Sequence, residues 1–168
     1  MPLLLRSVNK AKWHNHWSGI PELSQIPADP LWDLRTQSNK LSIWWIEKDM
    51  SNFDAVISAI AATKDTFANV DYALIDSEAM LALSFKTEHT QGDTPHLDAN
   101  QKWHRDLISL TAQGLVLLAQ QVYASEMKRL SERSVAELLQ KSFALGQLSV
   151  DKLKPTLRDK LQQLEPKD

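Results

Sequence analysis

LSIWWIEKDMSNFDAVISAIAATKDTFANVDYALID, residues 41–76, reads as strand, helix, strand. Residues 41–46 are a short apolar run holding Ile43, Ile46, Trp44 and Trp45, long enough for a strand and short of a typical helix. Ser51 or Asn52 can cap a helix in which Phe53, Val56, Ile57, Ile60 and Ala61 form one apolar stripe. Asn69 and Asp71 flank a second strand core at 70–75. Two short strands joined by a helix fit a βαβ crossover, so the two are expected to be adjacent and parallel.

Working outward, residues 1–40 hold Trp13, Trp17 and Trp32 and much Ser, Asn and Gln, with little periodicity. They are expected to be a loop-rich wrap pinned by Trp and Leu side chains. Asp29 and Pro30 can open one helical turn within it. After the βαβ unit, Asp76 or Ser77 can cap a helix through Leu83, while the alternation Leu83, Phe85, Thr87 fits a third strand equally well. Residues 86–96, KTEHTQGDTPH, read as a mobile polar loop.

Asp98 and Gln101 match a capping box, and Trp103, Leu107, Leu110, Gly114, Leu117 and Gln121 recur at helical spacing. This predicts one long central helix over 99–128, with Gly114 at a close helix crossing. Ser134 with Glu137 opens a further helix that ends at Gly146. A last helix starts near Lys154, with Pro155 in its first turn. The fold class expected is α+β: a small N-terminal βαβ sheet unit (41–96) followed by a helical C-terminal half (97–168), all one domain.

Composition bounds the function. A chain of 168 residues with 43% apolar and 24% charged residues can bury a real core. No apolar run reaches the length of a membrane span, and the N-terminal charge follows its leucines, the reverse of a secretory signal. The chain has no cysteine, which removes disulfides, thiolate metal sites and cysteine nucleophiles and makes a reducing, cytoplasmic setting the expectation. Residues 41–100 carry ten acids against three lysines, while residues 1–20 carry three bases and no acid. Such asymmetry reads first as internal complementarity and second as an acidic face for a basic partner. The pI of about 6.2 argues against nucleic acid as sole partner.

Histidines are the best lead to catalysis. His14 and His16 share a face if extended, and His96, Asp98, His104, His89 and Glu88 lie close enough in sequence to consider as metal ligands. His104 and Asp106 would point apart on a helix, which weakens that set. Asp71, Asp76 and Glu78 near a strand are a further carboxylate group of the type nucleases use. No nucleophile elbow, phosphate loop, dinucleotide fingerprint or zinc-protease motif is present, and only four glycines occur.

The aromatic pattern points elsewhere. Trp44 and Trp45 are adjacent on a strand and so face opposite sides of the sheet. Either both faces are covered or one Trp is open to a partner. Trp44, Trp45, Trp103, Trp13 and Trp17 are the interface candidates. The sequence reads as a small protein-interaction module, an accessory subunit or an immunity- or antitoxin-like partner of a larger assembly. It is expected to bind another protein or a second copy of itself through the long helix, and no cofactor is expected. The alternative is a metal-dependent hydrolase or nuclease using the His and carboxylate set.

Overall fold

The computed structural model describes residues 1–13, 19–125 and 127–164. The fold is α+β, with six strands and seven α-helices among the described residues. The strands are β1 (Leu3–Ser7), β2 (Leu41–Ile46), β3 (Val70–Asp76), β4 (Lys86–His89), β5 (His104–Ile108) and β6 (Met127–Leu130). They form one sheet in the order β4-β5-β2-β1-β3-β6, and every neighbouring pair is antiparallel.

β1 corrects the expected wrap. It lies between β2 and β3, with Leu5 opposite both Trp44 and Leu74. Its two neighbours are each antiparallel to it and therefore parallel to each other, as a crossover requires, but they are not adjacent. Residues 53–61 form the crossover helix α2 (Phe53–Ala61). Periodicity fixes the direction of two strands joined by a helix; it says nothing about a third strand entering between them. Three leucines in a row carry no alternation because a strand covered on both faces needs none.

Two helical layers cover the sheet. On one side α2, α4 (Leu97–Lys102), α6 (Glu132–Ala144) and α7 (Pro155–Gln163) enclose Leu5, Trp44, Ile46, Ile57, Val70 and Leu139. On the other, α1 (Ala28–Asp33), α3 (Ser77–Ala82) and α5 (Ala112–Ala124) cover Leu4, Ile43, Ile75, Met80, Leu107 and Leu118. Trp44 belongs to the first core and Trp45 packs against the second, so the adjacent tryptophans do face opposite sides.

The long helix over 99–128 is not formed. That stretch is α4, then β5, then α5, and the second half of the chain adds both β5 and β6 to the sheet. The helical spacing through Trp103, Leu107 and Leu110 is coincidental, because β5 takes two neighbours, β2 and β4, and tertiary pairing overrides local pattern. Ser109 turns the chain with φ 57°, and Thr111 caps α5 by accepting from the Gly114 amide at 3.0 Å. A Cβ at Gly114 would meet Thr111, Leu110 and Phe85 at ordinary distances, so no second helix crosses there.

Other helix boundaries follow sequence chemistry. Asp76 caps α3 by accepting from the Glu78 amide at 2.8 Å. Residues 77–82 are thus helical, and the third strand begins only at Lys86. Ser131, rather than Ser134, caps α6, and Gly146 follows that helix with φ 66°, as its C′ role predicts. Pro155 is the first residue of α7. No helix among the described residues is long and apolar enough to cross a membrane.

Candidate functional site

The interface tryptophans separate by burial. Trp13 is core: its Nε1 donates to Asp33 Oδ2 at 2.8 Å and its ring tilts against Tyr123. Trp44 is core too, meeting the His104 ring edge-on at 5.0 Å between centroids. Burial withdraws both from the surface. Trp103 is half-buried, with the Lys102 ammonium 5.9 Å from its ring. Trp17 lies outside the described residues, as do His14 and His16. Trp45 is half-buried and held by its backbone, donating to the Trp103 carbonyl and accepting from the buried Asn52 side chain, each at 2.8 Å.

Trp45 lines a small cleft of about 190 Å³ with Leu4, Met80, Leu81, Phe85 and Thr87. α3 provides one wall and the chain entering β4 the other. Leu81, on its rim, is 73% exposed in the last turn of α3, next to Met80 and Ala82. Phe85 also lines a second cleft of about 410 Å³, shared with Leu83, Ile108, Leu110 and Leu117. Ser84 and Ser109 line it in the left-handed region, at a cost of about 1–2 kcal/mol each. Lys86 is the one titratable side chain among the residues lining this second cleft. The two clefts meet at Phe85 in a corner at the β4 end of the sheet, apolar at its centre and bordered by Glu78, Lys86, Thr111 and Gln113, and sequence reading caught only its Trp45. Phe85 enters the sequence reading only through a strand alternation and Leu81 through none, and the exposure of Leu81 follows from α3 being short and leaving the edge uncovered. Trp32 is a further miss: expected to pin the N-terminus, it is 66% exposed under the Arg35 guanidinium.

The metal-ligand set is dispersed into separate structural roles. His96 is buried and caps α4, its Nδ1 accepting from the Ala99 amide at 3.3 Å. Its neutral form therefore carries the proton on Nε2, which has no hydrogen-bond partner among the described residues. His104 is buried against Trp44, with Nδ1 2.9 Å from the Thr90 hydroxyl. Burial pushes both imidazoles below their usual pKa, more than the opposing pull of Asp98 on His96 and of Asp106 on His104. Asp98 pairs with Lys102 at 2.9 Å, Glu88 with Lys40 at 3.0 Å, and His89 Nε2 lies 2.6 Å from the Gln101 carbonyl oxygen. No group of three or more His, Asp or Glu among the described residues is placed to hold a metal ion. Of the carboxylates near β3, Asp71 takes two hydrogen bonds from Arg129, which hold its pKa below the usual range, and Asp76 is a helix cap.

Residues 86–96, expected to be one mobile polar loop, begin with strand β4, because residues 86–89 pair with β5, and the remainder is tied from within. Asn100 Oδ1 accepts from the Thr94 amide and hydroxyl, at 3.2 and 2.7 Å, and its Nδ2 donates to the Thr94 carbonyl at 2.7 Å. Gly92 is buried beneath it, where a Cβ would stand 2.7 Å from Asn100 Oδ1 and 3.0 Å from the His104 ring. This network fixes the loop that connects β4 to α4, on the Trp44 side of the sheet. Comparison with protein-family models, curated proteins and solved structures finds no match to this chain.

Proposed function

We propose that this chain is a protein-interaction module, of the kind that serves as an accessory subunit or an immunity- or antitoxin-like partner. Its docking surface is the corner formed by Trp45, Leu81 and Phe85. The carrying observation is Leu81, 73% exposed on the rim of an apolar cleft backed by a half-buried tryptophan. A cleft of about 190 Å³ is smaller than the roughly 300–1,000 Å³ of small-molecule pockets. It suits one aliphatic or aromatic side chain offered by a partner polypeptide, as anchors at interface centres do. The cysteine-free sequence fits a cytoplasmic setting for that encounter.

The experiment is site-specific photo-crosslinking in the native host. A photoreactive residue at position 81 should give a discrete heavier adduct. The same residue at position 150, exposed elsewhere on the molecule, should not. Loss of the adduct on Trp45→Ala, in protein that still unfolds cooperatively, ties capture to the cleft. Equal adducts from both positions would refute the assignment.

A further inference from the structure

β4 is an end strand of the sheet, and all four of its residues are exposed. One side of its backbone pairs with β5, and the other has no neighbouring strand among the described residues. Lys86 and Glu88 share one face, opposite Ile108 and Asp106. Glu88 thus confronts a like charge across the ladder, an arrangement that destabilises a sheet. Lys40 reaches Glu88 Oε2 at 3.0 Å, while Asp106 accepts from the neutral Ser42 hydroxyl at 3.2 Å. Lys40 thus serves Glu88, and Asp106 has no ion pair among the described residues. Lys86 forms no ion pair among the described residues.

We propose that β4 pairs antiparallel with β4 of a second copy of this chain, joining the two sheets about a twofold axis perpendicular to them. Thr87 lies on the axis, and Lys86 stands opposite Glu88 of the second copy, twice over. Such an axis keeps each face of the sheet on its own side, so only Thr87 or Glu88 can lie on it within the strand interior. With Glu88 there, four carboxylates would crowd together. With Thr87 there, each Lys86 supplies the cation that the Glu88–Asp106 pair lacks. β4 is thus complementary to itself. Thr87 also lines the smaller cleft, so pairing brings two clefts side by side, and the inference holds whether or not a partner occupies them. A strand of four residues buries less than a standard interface, so the dissociation constant should be on the order of micromolar or weaker.

Sedimentation velocity on the full chain across a concentration series tests this. Wild type should shift from monomer to dimer. Lys86→Glu and Glu88→Lys, each opposing like charges, should weaken the dimer at least about tenfold, equivalent to about 1.4 kcal/mol. An equimolar mixture of the two should dimerise again, because one carries acids at both positions and the other bases. The double swap K86E/E88K should dimerise as wild type does, which keeps the test valid if one single variant folds poorly. Wild type monomeric at concentrations on the order of 0.1 mM, single variants dimerising like wild type, or a mixture no better than its components would overturn the proposal. So would growth beyond a dimer, which head-to-tail pairing of β4 with β6 produces.

Discussion

Leu5→Ala tests whether the N-terminal residues are the centre of the sheet. Leu5 has no solvent exposure, lies opposite both Trp44 and Leu74, and belongs to the core between the sheet and α2. Truncating a leucine at such a site removes its transfer free energy and leaves a cavity that neighbours on two strands cannot fill. The cost expected is about 2–5 kcal/mol. For a chain of this size each kcal/mol lowers the melting temperature by about 2–4 °C, so the drop should be roughly 4–20 °C. Leu81→Ala makes the same chemical change on a side chain 73% exposed and should stay within about 0.5 kcal/mol. Urea unfolding followed by tryptophan fluorescence, with circular dichroism as second probe, measures both. Equal midpoints for Leu5→Ala and wild type would return residues 3–7 to a surface wrap and refute the sheet order.

Acid should loosen the β4–α4 loop and the His104 contacts before it titrates carboxylates. His96 and His104 have folded pKa values lowered below 6.5 by burial, so the unfolded chain binds protons first. Stability should be fully present above pH 6.5 and decline as pH falls below it; urea midpoints at pH 7.5, 6.5 and 5.5 that do not move would contradict this. Asp71, with its pKa lowered by Arg129, contributes in a separate window, lost only as pH falls below the ordinary carboxylate value of 3.8. Gly92→Ala should cost about 1–3 kcal/mol, because its Cβ meets an Asn100 oxygen that the Thr94 network holds in place. Unfolding free energies of this variant and wild type decide it.

The part of the fold legible in the sequence was local chemistry with an amphipathic or capping signature. α2 kept its apolar stripe, Asp76 kept its cap, Pro155 opened α7, and Gly146 closed α6. What stayed hidden was long-range strand pairing. Residues 3–7 carry no alternation because both faces are covered. His104 to Ile108 has spacing compatible with a helix, and only its partners at Leu41–Trp44 and Lys86–His89 make it a strand. The candidate site divides the same way. Trp45 stood out as one of two adjacent tryptophans that must face apart. Leu81 gains meaning only where α3 stops short of covering the sheet edge.

The central claim is that the Trp45–Leu81–Phe85 corner holds a partner protein. With the partner recovered by crosslinking, titration calorimetry against wild type and Leu81→Asp tests it most directly, with unfolding midpoints measured alongside. Leu81 is exposed, so the substitution should leave the midpoint unchanged while weakening binding by more than about 1 kcal/mol, at least fivefold. Unchanged affinity in a folded Leu81→Asp protein would contradict the account.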